Sequence, residues 1–165
     1  MSKSLLWLIF TITAVTGSAT ATERTPEGRA VDGILTAFHE AASKADSALY
    51  FSLLADDAVY IGTDASERWT VEDFKAFAEP YFAKGRGWTY TATERNIDIA
   101  PGGTVAWFDE ILWNESYGTC RGTGVLLLVE GDWRIAQYHL TFPIPNDLSR
   151  EITARIKEHT GHAPE

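Results

Sequence analysis

The chain has one cysteine, Cys120, in 165 residues. No internal disulfide can form, and the fold must rest on its core. Cys120 reads as a small strand residue rather than a thiol nucleophile. Zinc-finger spacing is absent, and His39, His139, His159 and His162 follow no ligand pattern. No metal site and no cofactor is therefore expected. There is no glycine-rich phosphate loop: Arg121-Gly122-Thr123-Gly124 falls in a strand-like run, where glycines relieve crowding or bend a sheet. No Ser-His-Asp arrangement stands out. Basic residues are scarce, 14 Lys and Arg against 23 Asp and Glu, for a formal charge of −9. That balance argues against nucleic acid or an anionic membrane as partner. Beyond residue 21 no apolar run is long enough to span a bilayer.

What is present begins with a leader-like segment. Lys3 precedes an apolar run, Leu5 to Val15, and Ala19-Thr20-Ala21 fits a cleavage site. Residues 1–21 are expected to be a secretory signal peptide, giving a periplasmic or secreted protein with no membrane attachment after cleavage. Its removal takes away only Lys3 and leaves 13 basic residues against 23 acidic ones, a formal −10. A hydrophobic content of 45% and six Trp indicate a globular domain with a dense core, an aromatic-lined cavity, or both.

Residues 22–30 read as a flexible arm. Val31, Ile34, Leu35, Phe38, Ala41, Ala42 and Ala45 then recur at helical spacing. A short helix follows Asp46-Ser47 and ends near Asp56-Asp57. Ala58 to Gly62 reads as a strand. Thr70 and Asp73 open a third helix that buries Phe74, Phe77, Ala78, Tyr81 and Phe82. Four strands follow: Trp88–Ile99, Val105–Asn114, Cys120–Val129 and Trp133–Phe142. The turns lie at Pro101-Gly102-Gly103, near Glu115–Gly118, and at Gly131-Asp132 as a II′ hairpin. A last amphipathic helix is expected from about Asn146 to His159. Helices that precede strands indicate an α+β fold, three N-terminal helices on a curved antiparallel sheet with a short C-terminal helix. The domain is set at residues 31–146, with helix and tail at 147–165.

Several segments carry a resemblance: Tyr60-Ile61-Gly62-Thr63-Asp64 with Glu67-Arg68-Trp69, Ala106-Trp107-Phe108-Asp109-Glu110, Arg121 through Leu126, and Trp133-Arg134-Ile135 with Tyr138, Leu140 and Pro145-Asn146. Together they resemble the NTF2-like superfamily, and within it a secreted bacterial branch of the SnoaL-like group. The resemblance implies a cone-shaped α+β barrel. The superfamily holds isomerases, cyclases, dehydratases, ligand carriers and oligomerisation hubs, so the fold does not fix the function. The carboxylate, Tyr and protonated Asp of its isomerases do not map onto this chain position by position.

Hairpin geometry proposes a site. The Gly131-Asp132 loop sets Val125 opposite Tyr138. A four-residue loop Asn114–Tyr117 sets Glu110 opposite Arg121, and a Pro101–Thr104 loop sets Arg95 opposite Glu110. One otherwise apolar face then carries Arg95, Glu110, Arg121 and Tyr138. It is either a charged floor, with Arg121 holding an anion and Tyr138 donating to it, or a structural ion cluster beneath the helices. The opposite face carries Trp107, Asp109, Ile111, Trp113, Leu126, Leu128, Trp133, Ile135, Gln137 and His139 and is aromatic enough to form a homodimer through the outer sheet face. A slip of one residue would exchange the faces and make Asp109 and His139 an acid–base pair. The loop Thr63–Trp69 either rims the cavity mouth or is turn chemistry, with Glu67 paired to Arg68.

The expected function is binding of a small, partly apolar molecule, anions included, by Arg121, Glu110, Tyr138, Arg95 and Trp69. One alternative is a cofactor-independent isomerase, cyclase or dehydratase, with Glu110 or Asp109 as base and Tyr138 or Arg121 stabilising an oxyanion. The other is an oligomerisation module with an incidental cavity.

Overall fold

The computed structural model describes residues 25–161. The expected signal peptide lies outside the described residues. Helix α1 (Pro26–Ser43) starts earlier than the apolar stripe suggested, because Thr25 caps it by accepting from Gly28 N at 3.1 Å and Pro26 takes the first position. Residues 26–30, expected in a loose arm, are thus helical. Helix α2 (Ser47–Ser52) is capped by Asp46, which accepts from Leu49 N at 3.0 Å. It stops before the acidic pair because the chain enters strand β1 (Leu54–Ile61), where Leu54 pairs with Ile135. Asp56 and Asp57 sit exposed on an irregularity in that pairing.

Strand β2 (Arg68–Thr70) pairs antiparallel with β1 and leads into α3 (Val71–Phe82), whose cap Thr70 accepts from Asp73 N at 3.2 Å. Phe74, Ala78 and Phe82 are buried as expected, whereas Phe77 and Tyr81 are nearly half exposed. The meander consists of β3 (Thr91–Ile99), β4 (Val105–Asn114), β5 (Gly118–Val129) and β6 (Asp132–Thr141). Helix α4 (Ser149–Thr160) buries none of its residues. No helix among the described residues is long and apolar enough to cross a membrane.

The fold is α+β, with three helices ahead of the meander and a fourth at its end. The six strands run β2-β1-β6-β5-β4-β3. The sheet is mixed rather than purely antiparallel, because β1 lies parallel to β6. It is also open, with β2 and β3 as edges. Residues from α1, α2 and α3 pack with the inner sheet face: Leu35, Phe38, Tyr50, Phe74, Leu112 and Ile135 are buried in one cluster. Phe38 stacks on Tyr50 at 4.3 Å between ring centres, and Trp88 lies 4.7 Å from Phe82. Trp88 through Tyr90 are irregular rather than part of β3.

Two of the expected registers change, both at β5. The β4–β5 loop has three residues, not four, so Asn114 pairs with Gly118, whose φ of +69° suits glycine in the closing turn. Glu110 therefore faces Gly122, and Arg121 is turned to the outer face, where it is exposed. The β5–β6 turn is Glu130-Gly131, both at positive φ, as a I′ turn requires, instead of II′ at Gly131-Asp132. A bulge then shifts the ladder between Val125 and Leu126 and pairs Tyr138 with Gly124. Each change flips β5 against one neighbour, so β4 and β6 keep their expected relation. Glu110 and Tyr138 still share the inner face. Leu126, Trp133 and Ile135, expected outside, are buried.

Candidate functional site

Among the described residues Glu110 is the one charged residue in the buried core, with no exposure. Three side chains from three elements donate to it. His39 Nε2 of α1 lies 2.7 Å from Oε1, Tyr138 Oη of β6 lies 3.0 Å from Oε1, and Arg95 Nε of β3 lies 2.7 Å from Oε2. Arg95 also reaches α1 through one terminal nitrogen, 2.8 Å from Asp32 Oδ1 and 3.1 Å from Thr36 Oγ1. Charged groups in an apolar interior require such saturation. Burial alone drives the Glu110 carboxyl upward. The hydrogen bond and charge of His39, then the charge and hydrogen bond of Arg95, outweigh burial and hold the carboxyl below its ordinary value. Burial and then the Glu110 charge push the Tyr138 phenol well up, so it stays a neutral donor.

The register places Arg95 opposite Glu110 as expected. Arg121 does not join them. Asp109 and His139 lie on the outer face with Thr123 between them on β5, and Asp109 accepts from Asn96 Nδ2 at 3.1 Å. His39 is missed in the sequence reading, which it enters only as a candidate metal ligand. Its signal is on α1: Asp32, Thr36 and His39 form a polar i, i+4, i+7 stripe beside the apolar one. Among the described residues no His, Cys, Asp and Glu cluster could hold a metal ion.

Two concavities stand out among the described residues. A groove of about 470 Å³ between α1 and β3 exposes edges of His39, Thr36 and Arg95, but those groups already hold one another or Glu110. The second concavity is smaller, about 260 Å³, and aromatic. Tyr60 of β1, Trp69 of β2, and Phe74 and Phe77 of α3 form one side. Trp88 and Tyr90 contribute from the segment before β3, and Tyr117 and Phe142 complete the lining. Tyr60 stacks on Phe74 at 3.9 Å and on Tyr138 at 5.7 Å, so the cavity wall leans on the Glu110 cluster. Among the described residues, Glu67 and Thr63 are its only polar-side-chain lining residues besides the tyrosines and tryptophans. Neither Glu110 nor Arg121 lines it.

Helices packed on an open six-strand mixed sheet form the architecture of NTF2-like proteins. The sequence profile described as a SnoaL-like domain matches residues 31–145. The chain belongs to the SnoaL-like domain family. No curated protein matches it. Among solved structures it is similar to an NTF2-like protein of unknown function from Pseudomonas putida, at 16% identity over 71% of this chain and 87% of that one, with a TM-score of 0.59. A protein from Novosphingobium aromaticivorans provisionally named a scytalone dehydratase is 13% identical over 70% of this chain and 83% of that one, TM-score 0.60. A Xanthomonas campestris protein provisionally named a calcium/calmodulin dependent protein kinase II association domain is 17% identical over 78% and 94%, TM-score 0.56. These likenesses establish the fold.

The cluster generates two predictions. A Cβ on Gly122 would sit 2.5 Å from Tyr138 Oη and 2.7 Å from Glu110 Oε1. Gly122→Ala should cost about 1–3 kcal/mol in urea unfolding, as overpacked cores do. An unchanged midpoint would contradict the close packing. Because the folded Glu110 pKa is depressed, the stability it contributes is complete above the unfolded value of about 4.3 and is lost as pH falls through the folded value. Glu110→Gln should be less stable at pH 7 and should show a shallower loss of stability below about pH 4.3. Parallel acid limbs for the two proteins would refute the assignment.

Proposed function

We propose that this protein binds a small, largely apolar molecule in the aromatic cavity bounded by Tyr60, Trp69, Phe74, Phe77 and Trp88. The observation that carries the reading is a concavity of about 260 Å³ whose lining is dominated by aromatic rings, with Phe77, Tyr117 and Phe142 left 46%, 61% and 42% exposed at its edge. Large apolar side chains held open to water by a packed scaffold fit a binding site better than a surface that must stay soluble. The volume is below the roughly 300–1,000 Å³ of pockets for drug-sized ligands, so a single-ring compound is the size that fits. Arg121 plays no part in this reading, and the carboxylate at the rim replaces the anion site expected from the sequence. The Glu110 cluster supports the wall from behind. Using Glu110 as a catalytic base would require displacing donors from His39, Arg95 or Tyr138, and its lowered pKa makes it a weak base.

We also propose a homodimer through the outer sheet face. Trp107 and Trp113 of β4 are 47% and 55% exposed there, and Val125 of β5 stands opposite Trp107. A fold relative provisionally named an association domain is consistent with assembly through such a scaffold. Export to the periplasm or medium is proposed on Lys3, the apolar run Leu5–Val15 and Ala19-Thr20-Ala21 alone.

Ligand-observed NMR with phenol and p-cresol tests the cavity. Saturable binding is expected, weakened about tenfold in Trp69→Leu and unchanged in Arg121→Ala. Absence of saturable binding, or loss in Arg121→Ala, would contradict the reading. Sedimentation velocity should give a two-copy mass that falls to one copy in the double variant Trp107→Glu, Trp113→Glu. A monomeric wild type would contradict the dimer.

A further inference from the structure

We infer that the ligand of the aromatic cavity is an organic cation, an ammonium group carried on a small apolar or aromatic body. The inference rests on the proposed binding role of that cavity and names its ligand class. Three features of the cavity converge on it.

The first is the charge of the lining. Among the described residues, no Lys, Arg or His lines the cavity, and one carboxylate, Glu67, does. The second is the way Glu67 is held. Its Oε2 accepts from Asp64 N at 3.1 Å, and its backbone is tied on both sides, with Gly62 N donating to Glu67 O at 2.9 Å and Glu67 N donating to Asp64 O at 2.9 Å. A Cβ on Gly62 would come within 2.2 Å of Glu67 Oε2, so glycine is what lets the carboxylate lie against the strand end. No ion pair joins Glu67 to Arg68 among the described residues, so the adjacent guanidinium does not neutralise it by contact. The turn positions a charge at the cavity rim instead of burying it in a structural pair.

The third feature is the ring set. The negative faces of Trp, Tyr and Phe attract a cation within about 6 Å, and several rings around one centre reinforce one another. Trp69 lies 5.4 Å from Phe77, and Phe77 lies 6.3 Å from Phe74, so neighbouring ring centres sit at the spacing of a cage wall. Burial foremost, then Tyr90, then the negative field of Glu67 push the Tyr60 phenol upward. Asp64 beside it is held ionised by hydrogen bonds from Ser66 and adds negative potential at the rim. The acidic chain as a whole, at −9, attracts cations and repels anions at long range. A quaternary or primary ammonium on an apolar body meets all these features at once. A carboxylate ligand would face Glu67 with no counter-charge.

Three isosteric probes decide the matter: benzylamine as cation, benzyl alcohol as its neutral equivalent and benzoate as anion. Isothermal titration at low salt should give the tightest binding for benzylamine, about tenfold ahead of benzyl alcohol, with benzoate weakest. Glu67→Gln keeps the acceptor for Asp64 N. It should remove most of the benzylamine preference and leave benzyl alcohol unchanged, and salt should weaken benzylamine selectively. Equal affinities for amine and alcohol, or benzoate tightest, would overturn the cation inference while leaving the apolar cavity intact. Binding of none of the three would overturn the cavity reading as well.

Discussion

The structure depends on one buried carboxylate. Glu110 has no exposure, and the hydrogen bonds to its two oxygens come from α1, β3 and β6. A buried charge left with a missing partner is costly, so these elements must meet in one arrangement for the charge to be tolerated. Arg95 extends the constraint by bonding Glu110 and the Asp32 and Thr36 side chains of α1 together. The first helix is thereby locked over the meander at one height and one rotation. Gly122 of β5 completes the arrangement without supplying a donor, by leaving the space in which the carboxylate and the Tyr138 hydroxyl meet.

From that lock the aromatic cavity follows. Tyr138 is fixed by Glu110 at its hydroxyl, and its ring stacks under Tyr60 at 5.7 Å, which in turn stacks on Phe74 at 3.9 Å. The chain of rings carries rigidity from the ion cluster to the cavity wall. Polar and apolar functions are therefore separated within one cone. Charge is used for positioning inside the core, and π surface is presented at the mouth. The carboxylate available at the cavity rim is Glu67, on a turn far in sequence from the cluster.

Much of this was legible in the sequence, for identifiable reasons. Helices α2 and α3 announced themselves through Asp46 and Thr70, and the Arg95–Glu110 pairing followed from a loop length read correctly. The start of α1 was missed although Thr25-Pro26-Glu27 is a cap, a first-position proline and an acidic first turn. Arg121 was misplaced because strand faces depend on loop length to a single residue, and a three-residue loop closed on Gly118 differs from a four-residue one by little in composition. The bulge past Val125 cancelled that slip for β6, so Tyr138 was placed correctly through two compensating changes that no local pattern encodes. His39 was hidden for another reason. Its partner lies 71 residues away, and only the packing of α1 on the sheet brings them together. The cavity draws its rings from β1, β2, α3, the segment before β3, the β4–β5 turn and the residue after β6, a convergence that belongs to tertiary structure alone.

The central claim is that the aromatic cavity receives the ligand while the Glu110 cluster serves as its support. NMR spectra of the tryptophan indole N–H groups and the His39 ring, recorded during titration with benzylamine, test it most directly. The account predicts that Trp69 and Trp88 shift saturably and together while the His39 signals stay in place. Saturable shifts at His39 with the two indoles unmoved would contradict it and locate binding in the groove between α1 and β3.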